Sequence, residues 1–231
     1  MEETSSITTD PMSNNLLELI IEFNLCPIRY IHGSWLKKLQ YAELVKVLRE
    51  QDQSYNYLSQ YLLEHFGLNE DFDYEFGIVE KRVALASSKE LMQLVLYIGI
   101  ILNESVIRSV VRRDDRVKLE QCLGEDAYYF AVKKAQFLIR PSQVNAPSIL
   151  IDWKNTDKFK SFLMINGLQV LAIVYADMTQ AFRKRLLLKL PRSWRNHLKS
   201  SQSDIVSKEQ GLSLLIKSYK EVNSQWRHLF S

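Results

Sequence analysis

The chain has 231 residues, 46% of them hydrophobic, and a formal net charge of +3 at pH 7. That length and apolar content suit a folded protein with a substantial core, and with only 7 Gly and 5 Pro an all-β fold built on frequent turns is disfavoured. So small a charge does not by itself point to nucleic acid, and the two cysteines, Cys26 and Cys122, form neither a CxxC pair nor a disulfide framework, which favours a reducing cytoplasm.

The start, Met1 to Pro11, is acidic and rich in Thr and Ser, unlike the basic then apolar order of a secretory signal. Residues 1–12 offer almost no apolar surface and are expected to form a flexible extension ahead of one α-helical domain over 13–231. A first helix is predicted from about Ser13 to Phe23, and Pro27 stops it by fixing its own φ and pushing Cys26 towards extended geometry. Gly33 and Ser34 restart the chain, with Ser34 as N-cap of a second helix over Trp35 to Arg49 that turns Leu36, Leu39, Leu44, Val45 and Leu48 to one face. Ser54 caps a third helix with a stripe of Tyr57, Leu58, Tyr61, Leu62 and Phe66, and Gly67 ends it.

Residues 68–86 read as a long acidic connection, solvated and anchored by Phe72, Tyr74 and Phe76. Its run Glu70 to Glu75 is not a Ca²⁺ loop, because Phe76 stands where an EF-hand needs Gly and Arg82 where it needs a bidentate Glu. Ser87-Ser88-Lys89-Glu90 is a capping box for a central helix that buries Leu91, Leu94, Val95, Ile98 and Leu102 and breaks near Asn103. Short helices follow over Glu104 to Arg113, from Asp114 or Asp115 to Gly124, and over Glu125 to Leu138. The stretch near 139–155 is irregular, and packing is favoured over a strand for Ile149-Leu150-Ile151. Thr156 or Asp157 opens an apolar helix through Phe159, Phe162, Leu163, Leu168, Leu171 and Tyr175. Ser207-Lys208-Glu209-Gln210 caps the last helix, which buries Leu212, Leu215, Ile216, Tyr219 and Trp226. The longest apolar stretches fall short of the ~20 residues that span a bilayer, so no transmembrane segment is expected.

Enzymatic signatures are missing: there is no Walker A loop, GxGxxG, HExxH or GxSxG, and His32, His65, His197 and His228 are too scattered to indicate a metal site. The chain is therefore expected not to be an enzyme and to need no cofactor. The basic cluster Arg183, Lys184, Arg185, Lys189, Arg192 and Arg195 with Trp194 has three readings: a solvated helix face, a dock for an acidic protein, or a phosphate-binding surface.

The most informative stretch is the connection from Phe23 to Leu36. Pro27, Tyr30, Ile31, His32 and Trp35 are expected to form an ordered, mostly buried link that sets the angle between flanking helices. Phe23, Pro27, Tyr30, Ile31, His32 and Leu36 resemble the amino-terminal signature of the SctK family, which includes YscK and PscK. The central helix with Gly99, Glu104 and Ile107-Arg108 is similar to the family's helical pair. Arg183 to Pro191 resembles its basic, Leu-rich stretch, and His228-Leu229-Phe230 its closing residues. The resemblance runs collinearly over about residues 20–231, with no counterpart for residues 1–15 and a local insertion at 154–160.

It implies an all-α adaptor of the type III secretion sorting platform, in the bacterial cytoplasm on the inner side of the injectisome. Such a protein links the cytoplasmic domain of the inner-membrane ring protein (SctD) to the pod-forming protein (SctQ). Through the pods it connects to the stator (SctL) and the secretion ATPase (SctN), supporting effector secretion. Arg183, Arg185, Arg192 and Arg195 are candidate partner contacts on a basic face. The alternative is a helical nucleic-acid-binding regulator using that same face.

Overall fold

A computed structural model describes residues 11–138, 149–199 and 205–223. Among these residues the protein is all-α, without a strand. The amino-terminal third contains α1 (Pro11–Leu25), α2 (Pro27–Tyr30), α3 (Gly33–Leu36), α4 (Ala42–Leu48) and α5 (Tyr55–His65). The centre contributes α6 (Val79–Val83), α7 (Ser88–Leu102), α8 (Glu104–Arg108), α9 (Arg113–Leu123) and α10 (Glu125–Lys133). The remainder is α11 (Thr156–Val174), α12 (Gln180–Leu188), α13 (Arg195–Lys199) and α14 (Lys208–Val222). Helix α1 begins at Pro11, inside the extension expected over 1–12, and residues 1–10 lie outside the described part. Pro141, Pro147, Trp226 and His228-Leu229-Phe230 also lie outside it.

The main core is built where α7 crosses α11, with α14 packed on both. The crossing is close because each helix presents a glycine to the other's backbone. A Cβ at Gly99 would collide with the Leu163 carbonyl, and one at Gly167 with the Val95 carbonyl. Leu91, Leu94, Val95, Ile98, Leu163, Leu168 and Leu171 are fully buried around this contact. Both capping boxes form. The Ser87 Oγ accepts from the Glu90 N–H at 3.3 Å while a Glu90 carboxylate oxygen accepts from the Ser87 N–H at 2.8 Å, and Ser207 and Gln210 repeat the arrangement. Gly67 and Gly124, both at positive φ, close α5 and α9 where the sequence indicates.

A second, smaller core joins Ile28, Tyr30, Ile31, Trp35, Leu36 and Leu39 to Val45, Leu58, Leu62, Leu63 and Leu68. Helix α12 lies at the seam: Phe182 and Leu186 belong to the main core, Ala181 and Leu188 to the smaller one.

The structure corrects several expectations. The helix predicted over Trp35–Arg49 is two helices separated by a turn at 37–41, and Leu44 is exposed. In one continuous helix Leu36 and Val45, nine residues apart, would point about 180° from each other. The break lets both pack into the same core. Tyr57, expected on a buried stripe, is 78% exposed. In the 68–86 connection only Phe76 of the three aromatics is buried. The acid Asp73 is buried beside it and accepts two hydrogen bonds from Lys81 Nζ, at 2.8 and 2.9 Å. Asp114 and Asp115 sit in the first turn of α9, with Arg112 at the N-cap, where their carboxylates face the positive end of the helix dipole. Ile149 and Ile151 pack against the main core while Leu150 is exposed, so this segment packs and does not form a strand.

Candidate partner-binding groove

The connection between α1 and α3 is held by hydrogen bonds that mostly reach far along the chain. Tyr30 Oη donates to the Phe23 carbonyl at 2.9 Å, and Phe23, Tyr30, Phe76 and Phe182 stack or tilt against one another. The His32 N–H donates to the Leu188 carbonyl at 2.8 Å, and Trp35 Nε1 donates to the Leu190 carbonyl at 2.9 Å. The N-cap of α3 is His32 and not Ser34: the His32 Nδ1 accepts from the Ser34 N–H at 3.2 Å. Partial burial lowers the His32 pKa, and an Nδ1 that accepts leaves the other ring nitrogen, Nε2, as the donor. Ser34 Oγ instead accepts from the Arg192 N–H at 2.9 Å, tying α3 to the segment after α12. Phe23, Pro27, Tyr30, Ile31, Trp35 and Leu36 are all buried.

The basic stretch of α12 divides between interior and surface. Phe182, Arg185 and Lys189 recur at spacings of three and four residues, and that stripe turns inward. Arg185 is fully buried and so is not part of an exposed partner-binding face, contrary to the sequence-based expectation. Its Nη2 donates to the Leu68 carbonyl at 2.9 Å and the Asn24 carbonyl at 3.4 Å, its guanidinium lies over the Phe72 ring, and burial lowers its pKa. Lys189 Nζ donates to the carbonyls of Ala84, Leu85 and Ala86 at 2.8, 3.0 and 2.9 Å, beneath the rings of Phe23 and Tyr30. Three ammonium protons thus meet three acceptors just past the end of α6. Burial pulls the Lys189 pKa down to about 7.

Arg183, Arg192 and Arg195 stay exposed, and they rim a cleft of about 530 Å³ between α3, α5, α11, α12 and α13. Trp35, Leu39, Phe66, Leu171, Leu187 and Leu198 give it an apolar floor, and Lys38 and Lys184 add to its rim. The Arg192 guanidinium lies 5.9 Å from the Trp35 ring centre. Among the described residues, no Asp or Glu lines the cleft. A second cleft, of about 440 Å³ beside the start of α7, carries both signs, with Glu22 and Glu90 opposed to Arg29, Arg49 and Lys89. Among the described residues, no group of three or more His, Cys, Asp or Glu is placed to hold a metal ion, and no helix is long and apolar enough to cross a membrane.

The pairing of the 23–36 connection with the 183–192 stretch unites two segments separated by most of the chain. The family model for YOP proteins translocation protein K (YscK) matches residues 20–231, a span that holds both. The chain belongs to the YscK family. That makes it a type III secretion-related protein, of a family known as secretion-system components and not as enzymes. Comparison with curated proteins and with solved structures gives no match. In this YscK-family chain several signature residues meet α12 or the turn after it, which spacing alone does not disclose: Phe23 packs on Phe182, His32 bonds to Leu188 and Trp35 to Leu190. Lys38, Phe66, Leu187 and Leu198 escape a sequence reading of the groove because they come from four separate elements. The inward Arg185 and Lys189 carry a trace in their register with Phe182.

Proposed function

We propose that this protein is a non-enzymatic adaptor on the cytoplasmic side of the type III secretion injectisome. In this reading it links the cytoplasmic domain of the inner-membrane ring protein to the pod-forming protein, and through the pods to the stator and ATPase. Family membership supplies the setting. The observation that carries the reading is the groove of single charge sign beside the signature connection, a surface suited to another protein's acids. Arg183, Arg192 and Arg195 are the partner contacts proposed on it.

The alternative, a nucleic-acid-binding regulator, loses ground because two cations of the cluster, Arg185 and Lys189, are spent on interior carbonyls. Co-expression with the pod protein and the ring protein's cytoplasmic domain tests the proposal. All three are expected to co-purify. Failure with both partners, together with salt-sensitive retention on DNA, would overturn it.

A further inference from the structure

We propose that the groove between α3, α5, α12 and α13 receives an acidic amphipathic helix from a partner protein, with its apolar side on Trp35, Phe66 and Leu187 and its carboxylates on Arg183, Arg192 and Arg195. The volume of about 530 Å³ lies within the range of clefts that enclose a ligand's apolar groups, and the floor is aromatic and aliphatic. Among the described residues five cations, Lys38, Arg183, Lys184, Arg192 and Arg195, line it, and no acid does. None of the five forms a salt bridge among the described residues, and Asp177, whose charge reaches Arg183, is taken by Lys208. Charge complementarity therefore favours an anionic occupant with an apolar stripe, which a protein supplies as carboxylates.

A helix meets that requirement, and an extended strand does not. Among the described residues there is no sheet edge to extend, and the walls are helices whose own backbone bonds are made. A helix offers apolar residues at i, i+3, i+4 and i+7 with acids on both flanks, matching a cationic rim around an apolar floor.

The test uses the full-length chain and a fluorescein-labelled synthetic helix on the order of 15 residues, with Leu at i, i+3, i+4 and i+7 and Glu on the flanks. A matched peptide carries Lys in place of Glu. The acidic peptide is expected to bind saturably and the basic one not. Affinity should fall about tenfold or more in R183E/R192E/R195E and also in Leu198→Glu, with thermal melts unchanged, and salt should weaken wild-type binding. Equal binding of both peptides, or undiminished binding by the triple variant, overturns the proposal. So does a short DNA duplex that binds more tightly than the acidic peptide and is lost in the same variant.

That the helix comes from a secretion partner rests on the adaptor reading, but the titration does not. Peptide binding without co-purification of either partner defeats the adaptor reading and leaves the groove assignment standing. Co-purification of both partners with the wild-type chain, which itself fails to bind the acidic peptide, does the reverse.

Discussion

Lys189 shows how one residue can organise a junction. Its ammonium satisfies three carbonyls that follow α6, and Ser88 Oγ donates to its own carbonyl at 2.6 Å, so α6, α7 and α12 converge on it. Replacing it with Met strips three buried acceptors of their donor at once, and we expect a loss of about 2–4 kcal/mol in chemical denaturation. The sign of its pH dependence follows from linkage. Between the folded value of about 7 and the ordinary 10.5, the unfolded chain holds a proton that the folded chain has released. Lys189 therefore adds stability as pH rises through that window and contributes no slope below it. Glu22 and Glu90 act from the surrounding elements to favour the charged form. The deficit of Lys189→Met against wild type should widen between pH 7 and 10; a constant deficit would contradict the assignment. Tyr30 acts at the same scale. Its ring is buried and its hydroxyl is bonded, so Tyr30→Ala should cost about 3 kcal/mol, read as a lowered melt, and should reduce secretion chiefly through lower protein abundance.

At the scale of elements, the crossing of α7 and α11 is the part least tolerant of change. Gly99 and Gly167 each lie against the other helix's carbonyl, so even a methyl group forces the helices apart. Gly99→Ala and Gly167→Ala are each expected to destabilise by about 3 kcal/mol, beyond what helix propensity returns. A melt raised by either substitution would show that the crossing is looser than described. The periodic faces of α7 and α11 and both capping boxes were legible in the sequence, because their signals lie within one or two helical turns. What decided the break at 37–41 was a choice between two faces of one helix, which only the position of the second core settles. The inward turn of Arg185 was hidden for a similar reason, since its acceptors lie 117 and 161 residues away. Buried cations and surface cations look alike in a basic run, and the groove lies at the meeting of elements that no local pattern connects.

For the whole molecule, α12 joins the two cores by contributing residues to both. Beyond its local hydrogen bonds, the amino-terminal connection pairs with Leu188, Leu190 and Arg192, and those three long-range bonds cannot form until α12 and the turn after it arrive. Synthesis gives this a time. Trp35 and Leu190 are separated by 155 residues, and at about 5–20 residues per second the ribosome needs roughly 8–30 s to cover that distance. During that interval Ile28, Tyr30, Ile31 and Trp35 must remain without their final cover. Stalled nascent chains ending before residue 180 should therefore be cut readily by protease between residues 25 and 40, while chains long enough to release α12 from the exit tunnel should resist. The family signature is thus made early and is among the stretches completed late, when α12 closes over it.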